Sequence, residues 1–307
     1  MTQNLADVLR VDDGFSLASV DARSTPGFSG GKAKGKAALA DGAAELSALQ
    51  ERLFAEGRGG GKRSLLLVVQ GMDTSGKGGI MRHVVGAVDP QGVALTSFKA
   101  PTPQEQSHDF LWRIRRALPE PGTIGVFDRS HYEDVLIARV RDLVPTATWR
   151  RRYAAINRFE ETLVRRGTTV VKVMLHISAE EQKERLLERL DRPEKHWKYD
   201  PGDVDERVHW DAYAEAYTEA LRRCSSQAAP WFVVPADRKW YARWAVHRLL
   251  LDHLAAMDPQ WPAADFDVAA EKARLLATTA GPATAMPASR IRKSSFQGAA
   301  GIGDGTR

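Results

Sequence analysis

A short apolar, β-branched run, Leu65–Gln70, leads directly into Gly71-Met72-Asp73-Thr74-Ser75-Gly76-Lys77-Gly78, and a stretch with helical character follows. No other feature limits the possible folds as strongly. A strand, a turn of the form G-x-x-x-x-G-K and a helix together make a phosphate cradle. The glycines let several backbone N–H groups converge, the helix N-terminus adds partial positive charge, and the lysine reaches the phosphates. Gly71, Ser75, Gly76 and Gly78 are therefore expected to bind phosphate, with Lys77 as a catalytic cation. The hydroxyl that usually follows the lysine is absent, because Gly78 stands there. Asp73 lies inside the loop, and a carboxylate among phosphates is repulsive unless a cation intervenes. Asp73 is thus a candidate metal ligand and catalytic residue.

The middle of the chain repeats the strand–helix succession. Strands are expected at Leu65–Gln70, Val93–Phe98, Thr123–Phe127, Thr169–Ile177 and Trp231–Val234. Helices are expected at Lys77–Val88, Pro103–Leu118, Thr146–Arg166, Ala179–Leu190, Val204–Arg223 and Arg238–Ala256. This alternation predicts an α/β fold with a central parallel sheet covered on both faces, and ligands beyond the carboxyl ends of the strands. The ends differ in composition. Residues 1–40, with the Gly/Ser/Lys-rich Ser24–Lys36, are expected to form a flexible arm. Residues 41–258 are expected to form the functional domain. Residues 259–307, with Arg290, Arg292 and Lys293, are expected to be a largely disordered tail.

Composition narrows the partners. Hydrophobic residues make up 43% of the 307, too many for a wholly disordered chain. Lys+Arg 44 against Asp+Glu 39 leaves a net charge of +5, which favours an anionic partner. No apolar run is long enough to span a bilayer, and Met1–Arg10 has no apolar h-region, so neither a membrane nor a secretory route is expected. The one cysteine, Cys224, cannot form an internal disulfide, which is compatible with a cytoplasmic location.

Two further groups extend the phosphate reading. The third strand delivers Asp128-Arg129-Ser130 at its tip. A strand-end aspartate can cap the following helix, but paired with the glycine-rich loop it is a second candidate metal ligand, and Arg129 can clamp phosphate oxygens. After the fourth strand, Arg185, Arg189 and Arg192 recur at i, i+4 and i+7, with Lys195 and Lys198 beyond Pro193. Interleaved glutamates also fit a solvated, ion-paired face. The position after the fourth strand favours a helical lid, about 179–200, whose cations cover the phosphates.

Four segments in this order, GMDTSGKGG (71–79), TSFKAPTPQEQSHDFLWRI (96–114), GVFDRSHYEDVLIARV (125–140) and DRPEKHWKY (191–199), resemble the polyphosphate kinase 2 family. The resemblance covers roughly Leu46 to Asp258. It implies a three-layer P-loop kinase fold and phosphoryl transfer between inorganic polyphosphate and a nucleoside mono- or diphosphate (AMP or ADP), with Mg²⁺ or Mn²⁺. It also implies a homo-oligomer, dimer or tetramer. By the same resemblance Lys99 and Glu133 fall on the nucleotide side. HYEDVL is similar to the subclass that accepts monophosphates, which often has Asn where this chain has Asp128. Two alternatives stand beside this reading. One is an ATP-dependent nucleotide kinase of the thymidylate kinase type. The other is a basic RNA-binding module, but no aromatics interleave a basic surface as base stacking requires, so no nucleic-acid partner is expected.

Overall fold

The computed structural model describes residues 4–278. Its centre is one sheet of β1 (Ser64–Gln70), β2 (Val93–Ser97), β3 (Ile124–Asp128), β4 (Thr168–His176) and β5 (Trp231–Pro235). The spatial order is β2-β3-β1-β4-β5, and every neighbouring pair is parallel. The helices are α1 (Leu5–Leu9), α2 (Lys32–Asp41), α3 (Ala43–Arg58), α4 (Lys77–His83), α5 (Pro103–Gln106), α6 (Trp112–Arg116), α7 (Ile137–Val140), α8 (Thr146–Arg165) and α9 (Ala179–Asp191). They continue with α10 (Gly202–Glu206), α11 (Trp210–Arg223), α12 (Lys239–Met257) and α13 (Val268–Ala277).

The pleat of β1 explains the three layers. Leu65, Leu67 and Val69 join one core with residues of α3, α4 and α12, whereas Leu66 and Val68 join another with residues of α8 and α11. Both faces are apolar, so β1 reads as a continuous hydrophobic run rather than an alternating one. The register places Val69 beside Asp128. The loop after β1 and the acidic tip of β3 therefore emerge side by side at the carboxyl end of the sheet.

Several boundaries differ from those expected. The segment Pro103–Leu118 is two short helices. Ser107 Oγ donates to the Gln104 carbonyl and Asp109 Oδ1 accepts from Leu111 N–H, so these side chains compete with helical bonding between them. Helix α4 stops at His83, ahead of the β-branched pair Val84-Val85, which continues as a 3₁₀ turn. Val204–Arg223 is interrupted by a 3₁₀ turn over Arg207–His209.

The expected flexible arm is structured where it is described. Leu5 and Leu9 are buried, and Arg10 bridges to Phe232. Phe28 packs edge-on against Trp240 and Trp244, the Tyr241 hydroxyl donates to the Pro26 carbonyl, and α2 lies along α12. The Gly/Ser/Lys composition of Ser24–Lys36 suits it to cover α12, whose tryptophans supply the apolar surface the segment lacks. The described residues 263–278 belong to a separate unit, in which Asp267 caps α13. Residues 279–307, with the basic cluster 290–293, lie outside the described residues.

Candidate functional site

The loop after β1 closes tightly. At Gly71 the backbone adopts φ +152°, and a Cβ there would lie 2.6 Å from Ser75 Oγ and 2.7 Å from the Leu175 carbonyl oxygen. Gly76 enters α4 at φ +115°. Thr74 and Arg129 also have positive φ, 61° and 64°. Such strain in residues with side chains concentrates at functional sites. The half-buried Lys77 amine donates to the carbonyls of Gly71 (2.7 Å) and Met72 (3.3 Å). Burial lowers its pKa, with the Asp73 carboxylate acting against that shift. A Cβ at Gly78 would meet nothing within 4 Å, so the place of the usual hydroxyl is open.

Asp73 and Arg129 meet across the loop. The Arg129 Nη2 donates to Asp73 Oδ1 at 2.8 Å. Burial opposes the Arg129 charge, but Glu133 and Asp73 outweigh it and raise the pKa of the guanidinium. Glu133 itself accepts from Gln70 Nε2 at 3.1 Å.

Two cavities open beyond the strand tips. The larger, about 710 Å³, is lined by the loop from Asp73 to Gly79, by Asp128, and by Arg189, Lys195 and Lys198 of the expected lid. It also takes Arg82, His83, Trp197, Lys239 and Arg243. The smaller, about 250 Å³, is lined by Gly71, Met72, Arg129, Glu133, Ile137 and Gln182, with Trp210, Tyr213 and Tyr217 from one face of α11. Asp73, Asp200 and Asp203 border both. Burial, and then the charge of Asp73, raise the Asp203 pKa. Asp73 and Asp128 thus share the larger cavity with Lys77, and carboxylate oxygens are the donor type a hard divalent cation takes. No group of three or more His, Cys, Asp or Glu able to hold a metal is found among the described residues.

Three expected residues do not reach either cavity. Arg185 is only 5% exposed and turns inward. Its Nη1 donates to the carbonyls of Thr74 and Ser75, its Nη2 to those of Ala236 and Asp237, and its Nε to Glu181. It ties the loop to the end of β5 and lines neither cavity. Arg192 follows the last residue of α9, where the chain leaves helical geometry, and pairs with Glu188 and Glu194 on the surface. Lys99 is exposed and lines neither cavity. Sequence reasoning also missed Arg82, Lys239 and Arg243. Lys239 and Arg243 stand at i, i+4 in the first turns of the helix after β5. The rule that ligands gather beyond strand carboxyl ends pointed there, but no motif marked them.

This geometry defines an α/β P-loop phosphotransferase, with the glycine-rich loop on the central strand and an Asp-Arg tip on its neighbour. The comparisons resolve the family. The polyphosphate kinase 2 description matches residues 30–262. An AMP/ADP-polyphosphate phosphotransferase of Meiothermus ruber is 45% identical over 251 residues, 82% of this chain and 92% of that protein. An ADP-polyphosphate phosphotransferase of Rhodopseudomonas palustris is 43% identical over 71% of this chain and 78% of that protein. The crystal structure of polyphosphate kinase 2 from Arthrobacter aurescens TC1 superimposes with a TM-score of 0.88 at 60% identity, covering 90% of this chain and 98% of that one. The chain belongs to the polyphosphate kinase 2 family.

Proposed function

We propose that the protein moves a phosphoryl group between inorganic polyphosphate and a nucleoside mono- or diphosphate, with polyphosphate in the larger cavity and the nucleotide in the smaller. The observation that carries this is the shared wall: Asp73 borders both spaces, so the ends of two substrates meet beside it and Lys77. The larger space is walled by cations from four elements, as a polymer without bases requires. The smaller offers tyrosine and tryptophan faces together with Arg129 and Glu133, which suit a nucleoside bearing a phosphate.

The residues act by position and charge. Backbone N–H groups of the loop and the Lys77 amine hold the transferred group, Arg129 draws the acceptor phosphate toward Asp73, and the lid cations Arg189, Lys195 and Lys198 hold the polymer. Asp73 and Asp128 would hold Mg²⁺ (or Mn²⁺), which supplies charge neutralisation between phosphate oxygens when bound. A cytoplasmic site of action and a homo-oligomeric assembly belong to the same reading. Among the described residues no helix is long and apolar enough to cross a membrane, Cys224 is buried and unpaired, and the edge strand β2 leaves Leu95 52% exposed.

The test is incubation with polyphosphate, Mg²⁺ and AMP or ADP in separate reactions without ATP. ADP or ATP should form, and Lys77→Ala should lower the rate by about 10²–10³. Turnover only when ATP is the donor would instead make the protein a nucleotide kinase of the thymidylate kinase type.

A further inference from the structure

Lys172 occupies the middle of β4 with no exposed surface, between the buried valines Val171 and Val173. An amine in such a place needs full pairing. Its Nζ donates to Glu160 Oε2, to the Tyr132 hydroxyl (2.9 Å) and to the Cys224 carbonyl (2.6 Å). Glu160, brought by α8 and 1% exposed, accepts from the Tyr132 hydroxyl on Oε1 at 2.8 Å, and His131 Nε2 lies 3.2 Å from the same oxygen. Burial, and then Glu160, raise the Tyr132 pKa, so the phenol stays protonated and can donate.

A buried ion pair is often no more stabilising than well-packed apolar residues of similar size, so stability is weak ground for keeping one. What it grips is informative. His131 and Tyr132 lie between Arg129, which holds the unfavourable φ of 64°, and Glu133. Arg129 and Glu133 both line the smaller cavity. The turn carrying them has its own bonds, Ser130 Oγ accepting from the Tyr132 N–H at 3.2 Å and the Arg129 N–H donating to the Val69 carbonyl at 3.1 Å. Tyr132 and His131 fasten this turn to Glu160 of α8, and Tyr132 also to Lys172 of β4, while Arg152 of α8 holds Asp134 just beyond it.

We propose that Lys172, Glu160 and Tyr132 are positioning residues for the acceptor: a buried clamp that fixes the Arg129–Glu133 turn and so sets how the smaller cavity receives the nucleotide. The proposal rests on assigning that cavity to the nucleotide. The clamp lines neither cavity and lies on the opposite side of the sheet from α4 and α12, which carry polyphosphate-side cations. Its loss should therefore be felt by one substrate and not the other.

The experiment compares Tyr132→Phe and the neutral pair Lys172→Met/Glu160→Gln with the unaltered protein. KM for ADP and for polyphosphate is measured separately, at a temperature where circular dichroism shows each variant folded. Tyr132→Phe keeps the ring against Trp231, whose centroid is 4.7 Å away, and removes only the hydroxyl. The expected result is a rise of about fivefold in KM for ADP, with KM for polyphosphate within about twofold. The neutral pair should show the same split and serves if Tyr132→Phe does not fold. Unchanged constants, or both KM values rising together, overturn the clamp. Glu133→Gln separates the two layers of the reading. If it raises KM for ADP while Tyr132→Phe does not, the clamp alone fails. If it leaves KM for ADP unchanged, the cavity assignment fails and the clamp's proposed role falls with it.

Discussion

Replacing Arg185 by methionine tests whether this lid-helix arginine serves the fold or the substrate. The side chain makes five bonds: 2.7 Å to Glu181 Oε1, 2.8 and 3.0 Å to the carbonyls of Thr74 and Ser75, and 2.6 and 3.0 Å to those of Ala236 and Asp237. Methionine keeps most of the volume and strands four carbonyls and one carboxylate. Each charge-assisted bond contributes about 1.5–3 kcal/mol. The contributions do not simply add, since Glu181 and some carbonyls can turn to water. Loss of one partner from a buried charged network costs about 3–5 kcal/mol, which for a domain of this size corresponds to a fall of roughly 10 °C in Tm. Differential scanning calorimetry and steady-state kinetics with varied polyphosphate would measure both consequences. The expected variant is markedly less stable and has a lower kcat, because the loop loses its tie to β5, while KM for polyphosphate changes little. An unchanged Tm with a tenfold higher KM for polyphosphate would refute the reasoning and return Arg185 to the phosphates.

Lys99→Ala should leave both KM values within about twofold in initial-rate assays, because the side chain is exposed and borders neither cavity. Arg243→Gln should weaken polyphosphate binding and make the dependence of log Kd on log salt shallower by about one counterion, measured by fluorescence titration at several salt concentrations. Partial burial, then Arg243 and Arg82, lower the His83 pKa. Bound polyphosphate places negative charge beside the ring and should raise it again, so binding takes up a proton. Affinity should accordingly fall as pH rises from the lowered free-state pKa to the raised bound-state one. Calorimetry in buffers of different ionisation enthalpy should detect that proton uptake in the unaltered protein and not in His83→Asn.

The sheet was legible because its signals are local and redundant. Each strand is a short apolar run bounded by a turn, and every expected strand agrees with the observed one to within about a residue at each end. The helix breaks were less legible, since Ser107 and Asp109 act through their own side-chain bonds and leave the hydrophobic pattern helical. The order of residues 4–40 was hidden because their partner, the tryptophan-bearing face of α12, lies two hundred residues away, and composition describes a segment without its neighbours.

The three lid-helix arginines show the same limit inside the site. Spacing at i, i+4 and i+7 places Arg185, Arg189 and Arg192 on one face, and that is all spacing can do. Their fates depend on which oxygens the fold brings up. Arg185 finds the backbone carbonyls of the loop and of β5. Arg189 reaches the Lys198 carbonyl and Asp203 Oδ2 at 2.7 and 3.0 Å and keeps an edge in the larger cavity. Arg192 follows the end of the helix and is left with surface glutamates. Lys195 illustrates the intermediate case: it lines the cavity yet is held by Glu188, whose pKa that bond, with Lys239 beside it, lowers to about 2. Glu188 thus stays ionised across the physiological range and pairs with both lysines, so on the proposed reading it would compete with polyphosphate for them. On the proposed reading, such a segment would hold its cations in place before substrate arrives and would release them to a denser negative charge, such as a chain of phosphates. Net charge and motif spacing count the cations; the carbonyls and carboxylates that already occupy them decide how many remain for the substrate.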